Sequence, residues 1–165
     1  EGEYHSLREH LFQGESEQVA FLFVDYEEND DGVDMHVRQV YYLPPEDFDF
    51  HSAYHIELTD EVWAKVIKTA WDMDAVPVEV HSHRDAGFAP AFSPTDFAGF
   101  KDTVPHVRWR LRGRPYVALV FCPTGFDGLV WSSEGLLVES VDALVVGERE
   151  FDSTGRSTEK AERYL

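Results

Sequence analysis

The chain has few basic residues, and this shortage limits the partners that it can bind. It contains 14 Lys and Arg residues against 32 Asp and Glu residues, a formal net charge of -18 at pH 7. Nucleic-acid binding depends on clustered Lys and Arg side chains that neutralise phosphates, so we expect no nucleic-acid partner. An acidic excess is most often a solubility feature, although it also favours basic partners.

Cysteine and long apolar runs are also scarce. The single cysteine, Cys122, has no partner for an internal disulfide or a Cys-x-x-Cys site, and it ends an apolar run that predicts a buried thiol. A lone cysteine fits a reducing compartment. No apolar stretch approaches the roughly 20 residues that span a bilayer, and the N-terminal residues are acidic where a signal peptide would be basic. We therefore expect a cytoplasmic protein that contacts no membrane.

The apolar content is enough for one core. The chain has 165 residues, of which 43% are hydrophobic, and this predicts a single globular domain. Apolar periodicity and turn residues predict strands over 17–26, 33–43, 54–58, 76–81, 116–122, 128–131 and 136–146. They predict helices over 4–12, 60–72 and from Ser93 to about Val104, where Pro105 is expected to end the last helix. Residues 47–55 are expected to be mainly an irregular loop. Residues 148–165 are expected to form a polar, mobile C-terminal tail beyond a domain of residues 1–147.

Two histidines at the end of a predicted strand are the first sign of chemistry. His81 and His83 lie two residues apart, so strand periodicity places both imidazoles on one side of the chain, where they can bind one ion. A catalytic zinc site usually has three protein ligands and keeps one position open for water. Asp96 is the best candidate for the third ligand, because the first turn of the next predicted helix lets its carboxylate point back toward the strand end.

The segment that carries Asp96 also has a simpler explanation. Ser93-Pro94-Thr95-Asp96 is a strong helix start, and a capping box would explain Ser93 and Asp96 without any chemistry. A His-x-His pair alone is also a weak signal, although stronger than Ser-x-x-Asp alone, because it occurs in ordinary surface loops. The combination is much rarer than either part: a buried strand ending in His-Ser-His is followed by a loop and by Ser-x-x-Asp opening a helix.

With these residues in this order, the chain resembles the JAMM (JAB/MPN) family of zinc metalloproteases. The family pattern is a Glu on an early strand, then His-Ser/Thr-His, then Ser-x-x-Asp, matched here by Glu17, His81-Ser82-His83 and Ser93-Pro94-Thr95-Asp96. The similarity extends from about Tyr4 to about Trp131 and is greatest to a bacterial branch found near ubiquitin-activating-type enzymes. It implies an α/β fold with a curved mixed β-sheet flanked by helices, similar to the cytidine deaminases. The loop between His83 and Ser93 is longer than the common form, and Arg84 stands where many members have proline.

The resemblance also implies a role for each matched residue. His81, His83 and Asp96 would bind one zinc ion per chain, Glu17 would be the general base and acid, and Ser93 would donate a hydrogen bond to the oxyanion. The implied activity is that of a deubiquitinase-like isopeptidase, which hydrolyses the amide bond after the C-terminal tail of a ubiquitin-like protein in deconjugation or precursor processing. The implied partner is a ubiquitin-like protein or its conjugate, with an activating enzyme encoded nearby as a further candidate.

Two questions stay open in the sequence. Glu15 lies on the same strand face as Glu17, and Glu79 shares a face with His81 and His83, so either rival could be the base. Two other functions also fit the resemblance. One is an enzyme that releases an amino acid from a sulfur-carrier protein adduct with the same metal centre, and the other is a non-catalytic MPN scaffold. Scaffold members have usually lost metal ligands, and the presence of every matched residue favours an enzyme.

Overall fold

A mixed sheet of six strands is the central layer of the fold in a computed structural model that describes residues 1–52, 56–84, 89–132 and 138–165. The strands are β1 (Val19–Asn29), β2 (Gly32–Tyr42), β3 (Phe48–His51), β4 (Ile56–Leu58), β5 (Val76–Ser82), β6 (Tyr116–Cys122), β7 (Gly125–Trp131), β8 (Val138–Ser140), β9 (Ala143–Val146) and β10 (Arg149–Asp152). The helices are α1 (Gly2–Leu11), α2 (Asp60–Met73), α3 (Pro94–Arg110) and α4 (Arg156–Tyr164). Among these helices, none has the length and apolar character needed to cross a membrane.

The order of the strands explains where the chain brings its histidines. The large sheet has the order β2-β1-β5-β6-β7-β8, and two further pairs, β3-β4 and β9-β10, form small sheets. Within the described part of the chain, β5 and β6 are parallel and the other pairs are antiparallel. Parallel neighbours need a long crossover, which here contains α3. The crossover starts at the end of β5, beside His81, and leads into the helix that carries Asp96.

Apolar side chains cover both faces of the sheet. On β1, Phe21 and Phe23 pack into a core shared with α2, α3 and α4, whereas Ala20, Leu22 and Val24 pack into a second core shared with α1. The continuous apolar run of β1 is therefore a strand covered on both faces, as the sequence predicts. The chain is a single-domain α/β protein whose mixed sheet is flanked by helices, which confirms the expected fold class at this level.

Helix α3 is longer than the sequence predicts. It continues to Arg110 with Pro105 inside it, so the prediction that Pro105 ends the helix was wrong. A proline inside a helix costs about 3 kcal/mol. Beyond it, however, Val107 and Leu111 are buried, and burying each such side chain stabilises the fold by about 1.5–3 kcal/mol. Packing of the turn beyond the proline therefore offsets the local penalty.

The C-terminal residues form regular structure where the sequence predicts a polar, mobile tail. Strand β10 pairs with β9, and α4 buries Ser157 and Ala161 while the Tyr164 ring stacks on the Phe97 ring at 5.5 Å. The segment contains few apolar residues, so its own pattern is a weak helix signal. Hydrogen bonds to distant residues hold it, and the folded structure extends past residue 147.

The predicted strand over 136–146 is divided in the structure, and its first two residues lie outside the described ranges. Strand β8 pairs with β7, and β9 pairs instead with β10. Between them the Val141 amide donates to the Gly128 carbonyl at 3.0 Å. A Cβ on Gly128 would lie 2.6 Å from a Leu119 methyl carbon and 2.9 Å from Val141 Cβ, so glycine permits this close passage. The predicted loop over 47–55 likewise contains β3, with residues 53–55 outside the described ranges.

Candidate metal centre

The register between β1 and β5 places Glu17 beside the two histidines. Val19 pairs with His81, and the Ser82 amide donates to the Gln18 carbonyl at 3.1 Å, so the antiparallel register puts Glu17 opposite His83. Glu17 Oε1 lies 3.8 Å from His83 Nε2. Glu17 is buried, with 6% of its surface exposed, whereas Glu15 is exposed. The structure therefore brings Glu17 to the histidines and leaves Glu15 in solvent.

His81 and His83 project from the end of β5 toward one point. Their Nε2 atoms lie 3.3 Å apart, and the His83 amide extends the pairing with β6 by donating to the Phe121 carbonyl at 2.8 Å. Ser82 stands between them and is fully buried. Its Oγ accepts a hydrogen bond from the Gln18 amide at 3.0 Å. The middle serine thus ties β5 to the start of β1 and fixes the strand end that carries both imidazoles.

Asp96 is both a helix cap and a neighbour of both imidazoles. The capping box is present: Ser93 Oγ accepts from the Asp96 amide at 3.2 Å, and Asp96 Oδ2 accepts from the Ser93 amide at 2.6 Å. The same carboxylate places Oδ1 3.6 Å from His81 Nε2 and Oδ2 3.3 Å from His83 Nε2. The two explanations of this segment are therefore compatible, because the cap orients the carboxylate that faces the histidines.

The spacing of these atoms fits a tetrahedral metal ion. His81, His83 and Asp96 each offer one ligand atom, and these atoms lie within 4.8 Å of one another. With metal–ligand bonds of about 2.0–2.1 Å, two ligands of a tetrahedral ion lie about 3.3–3.4 Å apart. The two Nε2 atoms, 3.3 Å apart, match that value. Asp96 approaches the two imidazoles with different oxygens, Oδ1 at 3.6 Å from His81 Nε2 and Oδ2 at 3.3 Å from His83 Nε2. Two imidazoles and one carboxylate are also a donor set that zinc accepts, with one position left for water.

The charges around His81 favour a cation at this point. Burial lowers the pKa of His81, but the carboxylates of Asp96 and Glu79 outweigh that effect and raise its pKa to about 10. Burial likewise raises the pKa of Asp96, but the His81 and His83 imidazoles hold it well below its ordinary range. Without a metal, the pocket therefore stabilises a positive charge on an imidazole. A zinc ion can supply that positive charge instead of a proton.

Glu79 faces the other nitrogen of His81, away from the shared point. Its Oε1 lies 3.7 Å from His81 Nδ1, and its Oε2 accepts a hydrogen bond from the Tyr116 hydroxyl at 2.5 Å. Burial raises the pKa of Tyr116 well above its usual value and Glu79 raises it further, so the hydroxyl keeps its proton. A carboxylate beside the second nitrogen of a ligating histidine orients the ring and fixes its tautomer. This position suits an orienting role for Glu79 better than that of a base.

A cavity of about 520 Å³ opens beside these residues. Glu17, His81 and Asp96 line it together with residues from the β3-β4 hairpin, Trp63 of α2 and the exposed side of α3. Its wall also includes the apolar Ile56, Leu58 and Phe100 and the acidic Asp49, Glu57, Glu79 and Asp102. A ligand in this cavity would reach the Glu17 and Asp96 carboxylates and the His81 imidazole.

The loop between His83 and Ser93 is partly described. Arg84 donates hydrogen bonds to the Gln13 and Phe12 carbonyls at 3.2 and 3.3 Å, so it binds the chain that follows α1. Residues 85–88 lie outside the described ranges. None of the described residues of this loop lines the cavity, whose walls come from the β3-β4 hairpin, α2, α3 and the β1 and β5 strands with Glu17.

The sequence predicts no site role for two residues that lie next to the cluster. Phe92 is fully buried and its ring centroid lies 5.4 Å from that of His81, and Tyr116 reaches His81 through Glu79. Both stand in apolar stretches that predict core packing. Their positions in the sequence do not indicate a site, because they approach His81 only in the folded protein.

Zinc affinity is expected to rise with pH, because zinc needs a neutral imidazole and His81 has a pKa of about 10 without metal. From about pH 6 to about pH 9, the apparent dissociation constant should fall about tenfold per pH unit, measured by competition with a chelator. The stability of the zinc-free fold should change with pH in the opposite direction, decreasing as the pH rises. Because the folded pKa lies above the ordinary 6.5, the stabilisation from His81 is complete below about pH 6.5 and is lost as the pH rises through about 10. Zinc affinity that does not change with pH would contradict this account.

Comparison of the chain with protein-family models gives no match, and comparison with curated proteins gives none either. The geometry of the cluster and the sequence pattern that predicts it are therefore the grounds for a functional proposal.

Proposed function

We propose that the chain is a zinc metalloprotease of the JAMM type, with the JAB/MPN form of the α/β fold. The observation that carries the proposal is the convergence of His81, His83 and Asp96, whose ligand atoms lie within 4.8 Å of one another, with the buried Glu17 carboxylate 3.8 Å from His83 Nε2. A site of this kind, open to a cavity, fits amide hydrolysis better than it fits a purely structural ion.

Each residue of the proposed site has a separate role in hydrolysis. Zinc, when bound, polarises a carbonyl oxygen and lowers the pKa of a bound water to about 7. Glu17 takes a proton from the attacking water and then delivers it to the leaving amine. Ser93 Oγ accepts from the Asp96 amide, so its own hydroxyl hydrogen is left to donate to the developing oxyanion. A donor in that position contributes about 3 kcal/mol to the transition state.

The proposed substrate is the C-terminal tail of a ubiquitin-like protein, joined by an amide bond to a second group. An extended tail has a narrow backbone that can enter the cavity, which Leu58 and Gly99 both line, and bring its last carbonyl to the cluster. The acidic wall residues Asp49, Glu57 and Asp102 suit a tail that carries basic side chains. The sulfur-carrier adduct remains the second candidate substrate, because the same cluster would cleave its amide bond. A non-catalytic scaffold is ranked below both, because Glu17 and the three candidate ligands are present and adjacent.

A ubiquitin-like fusion that ends in Gly-Gly should be cleaved at least about tenfold faster than the same fusion ending in two bulky residues. Bulky side chains next to the cut bond would contact Glu17, His81 or Asp96 before the carbonyl reached the cluster. Both fusions carry a reporter after the tail, and cleavage is followed by gel with and without a chelator. Incubation with a sulfur-carrier protein adduct provides the parallel assay for the second substrate.

Each outcome of these assays decides a different part of the proposal. Equal cleavage of both fusions would contradict a selective cavity. Cleavage that a chelator does not suppress would contradict the metalloprotease itself. Release from the sulfur-carrier adduct, with no cleavage of either fusion, would replace the substrate and keep the metal centre.

A further inference from the structure

The C-terminal helix holds the main chain immediately before Ser93. The Phe92 amide donates to Ser157 Oγ at 2.9 Å, and Lys160 Nζ donates to the Phe92 carbonyl at 3.1 Å. Two residues earlier, Thr154 Oγ1 donates to the Pro90 carbonyl at 2.6 Å. Three side chains from residues 154–160 therefore fix the backbone that leads into the cap of α3.

A buried carboxylate anchors that helix to the sheet. Asp127 on β7 is fully buried, and it accepts hydrogen bonds from the Gly155 amide at 2.9 Å and from the Ser157 amide at 2.7 Å. The N-cap residue of α4, Gly155, has no side chain that could cap the helix, and Asp127 satisfies the Gly155 and Ser157 amides from a distant strand. A negative charge at a helix N-terminus is also favourable. The position of Ser157 is thus set by the large sheet, which also carries the two histidines.

Phe92 connects α4 to the cluster through its ring and through its main chain. Its buried ring lies 5.4 Å from the His81 ring, measured between centroids. The next amide in the chain, that of Ser93, donates to Asp96 Oδ2 at 2.6 Å. A shift of the Phe92 backbone would therefore move Asp96 relative to the imidazoles. Metal–ligand distances tolerate only about 0.2 Å of error, so even a small shift would weaken binding.

We propose that Thr154, Ser157 and Lys160, anchored by Asp127, form a C-terminal clamp that positions Asp96 against His81 and His83. The clamp residues are positioning residues: they act on the cluster through the main chain at Pro90 and Phe92. This inference rests on the proposed zinc centre, and it adds that residues from the last part of the chain set the affinity of that centre.

Ser157→Ala is the most direct test, because it removes the acceptor of the Phe92 amide. The zinc dissociation constant, measured by chelator competition, should rise about 10- to 100-fold, as it does when residues that support metal ligands are replaced. The control is Ile67→Val in the core on α2, used after urea unfolding shows a comparable loss of stability. Its zinc affinity should equal that of the wild type, since Ile67 belongs to a helix that carries no candidate ligand.

A double-mutant cycle separates positioning from general destabilisation. In an Asp96→Ala background the third ligand is already absent, so adding Ser157→Ala should cause little further loss of zinc affinity. Lys160 offers a matched pair: Lys160→Met removes the donor to Phe92 and should weaken zinc binding, whereas Lys160→Arg keeps a donor and should restore most of it. Equal losses from Ser157→Ala with and without Asp96, or identical affinities for the two Lys160 variants, would overturn the clamp.

Amide hydrogen exchange on zinc-free protein gives a readout that does not need the metal. Ser157→Ala should increase exchange at Phe92, Ser93 and Asp96 and leave the Ser82 amide, which donates to β1, protected. Failure of the wild type to bind zinc would contradict the proposed function and, with it, the proposal that the clamp supports a zinc centre. Normal zinc binding by the wild type, with unchanged affinity and exchange in Ser157→Ala, would remove the clamp alone.

Discussion

About one zinc ion should copurify with each wild-type chain, and the His81→Ala chain should contain almost none. His81 is the most buried of the three candidate ligands, and it contacts both Asp96 and Glu79. Its removal leaves two ligands and an open space, so zinc should dissociate during purification. Hydrolysis should fall to background in the same variant. Elemental analysis of the purified proteins measures the metal, and the same samples can be assayed for cleavage.

The control for this experiment is His106→Ala, which removes an exposed imidazole of α3 outside the cluster. It should keep both zinc and activity. Because the proposed zinc site exists only in the folded state, added zinc should also raise the unfolding temperature of the wild type and of His106→Ala, but not of His81→Ala. Wild-type protein that contains no zinc, or that contains iron in its place, would contradict the proposed centre.

Replacing Glu17 by Gln should keep the zinc and lower kcat by about 10²- to 10⁴-fold, the usual contribution of a general base. Gln has the same shape as Glu but cannot accept the proton of the attacking water. Glu17 lies beside His83 without belonging to the three-residue group that can hold a metal, so zinc content should not change. Metal analysis together with steady-state kinetics at saturating zinc provides the measurement.

Two matched variants test the rival carboxylates. Glu15→Gln should behave like the wild type, because Glu15 is exposed and lies outside the cluster. Glu79→Gln should weaken zinc binding, because Glu79 supports His81 Nδ1, and most of its activity should return when zinc is saturating. If Glu79→Gln or Glu15→Gln lost hydrolysis at saturating zinc while Glu17→Gln kept it, the base would have to be reassigned.

The large elements were predictable because local rules determine them. The apolar runs of β1 and β6 and the cap of α3 by Ser93 each act over a few neighbouring residues, and the structure contains all of them. The end of α3 could not be predicted in the same way. Its last turn is stabilised by burial of Val107 and Leu111 against other elements, which a local proline rule does not include.

The residue types of the candidate centre, and the periodicity that puts His81 and His83 on one side, follow from the sequence by itself. The sequence also places Asp96 at a helix start, because Ser93 and Pro94 specify a cap. The placement of Glu17 opposite His83 depends on tertiary structure, since it follows from the register of β1 against β5. The register pairs residues that are far apart in the chain. Local periodicity predicts the face of the strand on which a side chain lies, but not which residue lies opposite it on the neighbouring strand.

The contacts of residues 154–160 likewise depend on tertiary structure alone. Nothing local marks Asp127 as the cap of α4 or Ser157 as the acceptor of the Phe92 amide, because 30 and 65 residues separate the partners of these bonds. A sequence determines which groups can cap, donate or bind a metal through chemistry that each residue carries with it. Closing the chain into a sheet with helices on both sides determines which of those groups meet, because burial of the whole core stabilises one arrangement of them.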